Sequence, residues 1–210
     1  MPEYQTLLNI FSVAFSYPDE NLFESLQNGD LVHVLREEVQ TITDKEELLE
    51  QIADIEKGNS VVVANGLQSL ESDYIALFEV NRDLAPVHMY AHLYNSNSEE
   101  RISAMRRLQS LYQKFGLKIK QGGEGDHPDH LVIQLEFLSY LLQQLAQTES
   151  SDHETQQNLK TVIRGFVEEL QWIANFIQVL KQHPFHPFYT SLALLMGKVV
   201  SNMSKTVNIH

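Results

Sequence analysis

The sequence predicts an all-α protein, a helical bundle, and three observations carry that prediction. Apolar residues recur at spacings of three and four through most of the chain, as in Leu131, Leu135, Leu138, Leu142 and Leu145. No strand–helix–strand alternation and no fixed-period repeat appears. The breaks between periodic stretches fall at proline, glycine and Asn-Gly-Asp clusters, which end helices. At 210 residues the chain has the length for a single all-α domain with a real core. Its two helical halves, 1–120 and 126–203, are expected to join at a hinge of glycine, acid and histidine near 121–127, with a frayed tail after them at 204–210.

The first expected helix runs from Pro2 to Phe15 on a stripe of Tyr4, Leu7, Leu8, Phe11 and Phe15, and Tyr17-Pro18 breaks it. Asp19 caps a short helix to Leu26, and Asn28-Gly29-Asp30 turns into another carrying Leu31, Val34, Leu35 and Val39. A charged amphipathic helix opens at Thr43-Asp44, with Gly58-Asn59 as its expected end. Ser60 to Phe78 reads as the next helix. Glu79 to Asn97 lacks periodicity, and a loop of that length in a compact domain is often functional. Ser98 to Phe115 returns to helix, with Ile102, Met105, Leu108, Leu111, Tyr112 and Phe115 expected inside, and Gly116 closes it.

The central helix follows. Asp126 is the expected N-cap, Pro128 the first helical residue and Asp129 an acid in the positively polarised first turn. Phe137, Tyr140 and Leu141 widen its leucine face, so it is expected to be buried on most sides. A long helix capped by Ser151 or Asp152 then extends to about Lys181, carrying Trp172 and Phe176. Pro187 starts the last helix, and the chain is expected to loosen from Ser201 onward.

Composition narrows the function. There is no cysteine, so disulfides, thiolate metal sites and a cysteine nucleophile are excluded. Fifteen Lys and Arg against 28 Asp and Glu give a net charge of −13, which argues against nucleic-acid binding and suits a basic partner. Glu3 precedes the first apolar residues and no basic region stands before them, so no secretory signal, no stable membrane insertion and a cytoplasmic location are expected.

Histidines pair at helical spacings: His88 and His92, His127 and His130, His183 and His186. Such pairs can share a metal, but none forms a His-Glu-x-x-His motif, and capping or surface histidines are the plainer reading. Glu124, Asp126 and Asp129 around His127 suggest general acid–base groups or simply a solvated linker. No nucleophile elbow, Walker loop or dinucleotide fingerprint completes an active site. No catalytic residue, metal or cofactor is therefore expected, with a metal-dependent all-α hydrolase using the 126–130 cluster as the alternative. Glu136, if it faces the core, needs a partner such as Arg106, Arg107 or Arg164. Tyr74 and Phe78, four apart, read as core or, if exposed beside acids, as a peptide groove.

Pro128-Asp129-His130-Leu131 followed by Leu135-Glu136-Phe137-Leu138 resembles the signature of the NarJ/TorD/DmsD family, cytoplasmic chaperones for molybdenum-containing redox enzymes. The likeness extends from about Leu70 to Met196. It takes in Glu71 to Phe78 before Pro86, Tyr112 before Gly116-Leu117, Trp172, and Phe188-Tyr189 before Leu192. The resemblance implies an all-α, non-enzymatic protein. It would bind the apo catalytic subunit of a molybdopterin-dependent oxidoreductase, often through a twin-arginine signal peptide, until cofactor is inserted. The family's binding positions map to Tyr74, Phe78, Pro86, Asp126, His127, Asp129 and His130. Asp126 and Asp129 are expected to meet arginines, with Tyr74, Phe78 and Tyr140 lining an apolar pocket. Gln134 departs from the glutamate frequent in relatives. The glycine-rich hinge would allow either a monomer or a homodimer exchanging halves.

Overall fold

Helix breakers and contacts between residues distant in sequence together set the element boundaries. The structure is a computed structural model that describes residues 2–42, 45–79, 85–94, 98–118, 127–183 and 187–209. A 3₁₀ turn, Pro2–Tyr4, leads into α1, Gln5–Ala14, which buries Leu7, Leu8 and Phe11. The Asp19 carboxylate accepts from the Leu22 N–H at 2.8 Å and caps α2, Glu20–Asn28. Gly29, at φ 78°, closes α2 in the left-handed conformation, so α3, Asp30–Val39, starts at once.

The expected break at Gly58-Asn59 does not occur: α4 runs unbroken from Glu46 to Asn65. Gly58 is glycine for a packing reason. A Cβ there would lie 2.9 Å from the backbone of Phe188, where the last helix crosses. Asn59 faces inward, and its Nδ2 donates to Leu26 O at 2.9 Å. The true stop is Gly66, at φ 84° and ψ 169°. α5, Leu67–Tyr74, then passes into one π-helical turn, Ile75–Glu79.

α6, Ser98–Lys114, buries Leu108 and Tyr112, but Ile102, expected inside, is 56% exposed. α7 spans Leu131–Gln147. α8, His153–Glu169, is capped by Asp152, which accepts from Thr155 N–H at 3.0 Å. A 3₁₀ turn, Leu170–Trp172, separates α8 from α9, Ile173–Leu180, so the long helix expected to Lys181 is two. α10 runs from Pro187 to Ile209. The tail expected from Ser201 is thus helical, because Val199, Val200 and the fully buried Met203 extend the apolar stripe onto the core.

α1 lies along α7 and α4 along α10, so helices from both halves of the chain share one hydrophobic core. The hinge expected near 121–127 lies outside the described residues except for His127. Among the described residues no strand forms, and no helix is long and apolar enough to cross a membrane.

Candidate functional site

The start of α7 is held by a segment from the aperiodic loop. Leu131 N–H donates to Met89 O at 2.8 Å and Ala91 N–H to Asp129 O at 3.1 Å, an isolated antiparallel bridge between Tyr90 and His130. The Tyr112 hydroxyl donates to Pro128 O at 2.7 Å and ties the turn to α6. This arrangement overrides the expected cap. α7 begins at Leu131, its N-cap is His130, Pro128 precedes the helix, and Asp126 lies outside the described residues.

Asp129 is consequently not a first-turn surface acid. It is 2% exposed. Its Oδ2 accepts from the His92 backbone N–H at 2.7 Å and stands 2.7 Å from His92 Nδ1, a short, charge-assisted geometry. Its Oδ1 is buried and has no hydrogen-bond partner among the described residues. His130 Nδ1 accepts from the Val132 N–H at 3.3 Å, which puts the ring proton on Nε2. Burial lowers the His130 pKa to about 4, reinforced by His127 and opposed by Asp129. The ring is therefore neutral at physiological pH, as its capping role requires. Tyr90 stands among three imidazoles, with ring centroids 5.8 Å from His92, 5.5 Å from His127 and 4.9 Å from His130.

Beside this turn opens a cleft of about 430 Å³. His92 and Asp129 line it, together with Gln134, Trp172, Ala104 and Leu108 of α6, and Gly165, Glu168 and Glu169 of α8. The Trp172 indole N–H donates to Gln134 Oε1 at 2.8 Å in a buried contact. A neutral amide accepts that proton without placing a charge in the core, which gives Gln134 a reason of its own. Trp172 stacks on Tyr94 at 5.3 Å, and the Tyr94 hydroxyl donates to His88 O. At the rim Arg107 Nε donates to Glu169 Oε1 at 2.9 Å.

The described residues among those singled out from sequence divide among four places. His127, Asp129 and His130 stand together at the turn before α7. Tyr74 and Phe78 do not line an open pocket. They are 5% and 8% exposed and pack with Phe15, Phe176 and Tyr189 in an aromatic core. The Tyr74 hydroxyl points inward too, donating to Phe15 O at 3.2 Å. Tyr140 is half-buried in a different ring group with Phe115 and Phe137. Pro86 is half-buried ahead of Val87, whose N–H donates to Leu77 O. Glu136 lies on the exposed side of α7 rather than in the core, with its carboxyl raised by partial desolvation. The cleft itself escaped the sequence reading. His92 comes from an aperiodic stretch and Gly165 from the middle of a helix, and neither position carries a local signal of the cleft.

The hydrolase alternative gains no support among the described residues. Among the described residues no group of three or more histidines and acids stands in a metal-holding arrangement. His88 and His92 occupy a loop and a 3₁₀ turn rather than one helical face, and His186 lies outside the described residues.

Comparison with known proteins follows the same line. The chain matches the family model described as nitrate reductase delta subunit over residues 37–178. It is 31% identical over 122 residues to a chlorate reductase assembly chaperone protein from Ideonella dechloratans, a match spanning 56% of this chain and 61% of that relative. In fold it resembles the crystal structure of a candidate redox enzyme maturation protein from Archaeoglobus fulgidus. That match has a TM-score of 0.51 at 21% identity and covers 93% of this chain and 92% of the other. The family match covers the turn, the cleft and every helix that lines it, and by it this chain belongs to the nitrate reductase delta subunit family, the NarJ-type group that its Pro-Asp-His-Leu run resembles.

Proposed function

We propose that the protein is a maturation chaperone for a molybdopterin-dependent oxidoreductase. It holds the apo catalytic subunit in the cytoplasm while cofactor is inserted, and it catalyses no reaction itself. The family membership and the assembly role named for the chlorate reductase relative support this reading.

The observation that carries the binding mode is the cleft beside the Pro-Asp-His turn. A deeply buried carboxylate, Asp129, and two further acids, Glu168 and Glu169, line it in a chain of net charge −13. A basic, partly apolar client segment fits such a surface, since acids meet its cationic groups and Trp172, Ala104 and Leu108 supply apolar area. A twin-arginine signal peptide is the segment this reading favours, with Asp126 and Asp129 as the acids that face its arginines. The aromatic partner in this reading is Trp172, which lines the cleft, rather than the core residues Tyr74 and Phe78.

Affinity purification from the native host tests the role: a molybdoenzyme catalytic subunit should co-purify in its cofactor-free form. Titration of that subunit's N-terminal peptide tests the mode. The Asp126→Ala/Asp129→Ala pair should weaken binding and flatten its salt dependence, and Glu168→Gln should do so more mildly without touching the turn. Unchanged affinity and unchanged salt dependence in both would refute acid-mediated recognition.

A further inference from the structure

Gly165 sits inside α8, and glycine in a helix interior is destabilising relative to alanine because its backbone loses more freedom on folding. At Gly58 the compensation is visible, since a Cβ would strike the Phe188 backbone. At Gly165 it is not. Nothing lies within 4 Å of where a Cβ would stand, and the residue is not in the left-handed conformation. Among the described residues nothing therefore calls for glycine at this position.

What distinguishes Gly165 is that it lines the cleft together with other small residues, Ala91 and Ala104. The same cleft contains the second observation. Asp129 is 2% exposed, and its Oδ1 has no hydrogen-bond partner among the described residues. A carboxylate oxygen buried in that way is destabilising until a donor reaches it. Arg107 is not that donor, because its guanidinium is bonded to Glu169 at the rim. Glu168, three residues after Gly165, lines the cleft as well and adds a second carboxylate on the same helical face.

Glycine on a helix wall allows another backbone to approach closely. We infer that an extended client segment crosses α8 at Gly165 with its backbone against the helix, and that a basic side chain of that segment enters the cleft to meet Asp129 and Glu168. The identity of the client rests on the chaperone reading above; the crossing point and the chemistry of the entering side chain do not.

Trp172 is the only tryptophan in the chain, so its indole N–H resonance and fluorescence report on this cleft alone. Full-length Gly165→Ala and Gly165→Leu are compared with wild type, using two probes: the co-purified apo catalytic subunit, and arginine ethyl ester with citrulline ethyl ester as the neutral control. Gly165→Ala should raise Tm by about 2–4 °C, because alanine orders the helix more readily. Gly165→Leu should keep its helical circular dichroism and a Tm no lower than wild type, yet bind the subunit about tenfold more weakly or worse. Arginine ethyl ester should shift the Trp172 signal in wild type, its citrulline counterpart should not, and Gly165→Leu should lose the response. A folded Gly165→Leu that binds the subunit as wild type does would overturn the crossing at Gly165. A Trp172 signal indifferent to arginine ethyl ester would overturn the cation pocket. If wild type captures no molybdoenzyme subunit, the chaperone reading fails, and the ester titration alone decides the pocket.

Discussion

The aromatic core around Phe78 and the imidazole turn around Tyr90 are both built from clustered rings, but they are finished to different degrees. In the core, Phe15, Tyr74, Phe78, Phe176 and Tyr189 approach at centroid distances from 5.1 to 6.4 Å, all of them buried. Edge-to-face contacts dominate, the arrangement in which ring quadrupoles attract. Its one loose end is the Tyr189 hydroxyl, buried without a partner among the described residues and pushed well up in pKa by that burial. The turn has comparable ring spacing, but its members are half-buried, titratable and arranged around an acid whose second oxygen is unmet. Completed apolar contacts supply stability. A polar network left partly unsatisfied costs stability and keeps interactions available for a partner.

The largest expected effect tests the core side of that contrast. Phe78→Ala should lower the unfolding free energy by about 3–5 kcal/mol, the usual loss for emptying a buried aromatic site. Urea unfolding would register it as a lower midpoint. Client affinity, measured well below the midpoint, should stay near wild type. The opposite pattern, with stability kept and affinity lost, would move Phe78 from the core to the binding surface and break the comparison.

Gly58→Ala comes next. Its Cβ would meet Phe188 backbone atoms at 2.9 Å, and backbone cannot swing aside as a side-chain tip can. A loss of about 1–3 kcal/mol is expected, as for other overpacked sites, readable by thermal unfolding. The same substitution at Gly165 is expected to stabilise. Two interior helix glycines with opposite responses would sharpen the division between structure and function, and equal responses would erase it.

How far the sequence discloses this division depends on how far away each residue's partner lies. Periodicity discloses most helices, and local caps such as Asp19, Asp152 and Pro187 stand where their side chains or rings predict. Gly58 misleads because its partner, Phe188, comes from the last helix, and no local rule sees that crossing. The start of α7 misleads for a similar reason. Asp129 is a good first-turn acid by local rules, but the His92 N–H, 37 positions away, captures it and leaves His130 to cap the helix. Tyr74 and Phe78 sit at a spacing that favours core but also fits a groove, and the tertiary fold buries both. The cleft was least legible, because its lining comes from four separate stretches of chain.

A smaller effect is expected at the boundary between the two regions. Trp172→Phe keeps most of the ring area but removes the indole N–H that meets Gln134 Oε1, leaving a buried acceptor unmet. A loss of about 1–2 kcal/mol is expected in urea unfolding. Pairing it with Gln134→Leu, which removes the stranded acceptor, should recover part of that loss; no recovery would mean the contact contributes nothing beyond ring packing.

At neutral pH the smallest effect belongs to His130→Asn, because asparagine offers an N-cap acceptor as imidazole does. Unfolding free energy at pH 7.5 should change by no more than about 0.5 kcal/mol. The difference emerges in acid. The unfolded ring takes up its proton near 6.5, whereas the folded ring, desolvated by burial, does so only near 4. Between those values the unfolded chain binds more protons than the folded one, so wild-type stability is full above about pH 6.5 and declines as pH falls toward 4. Asparagine cannot titrate, so the variant should lose less stability across that window and overtake wild type near its lower end. Urea unfolding of both proteins at pH 7.5, 6 and 4.5 reads the difference directly. Parallel declines would show that His130 is not the group whose burial makes this turn, rather than the aromatic core, the acid-sensitive part of the molecule.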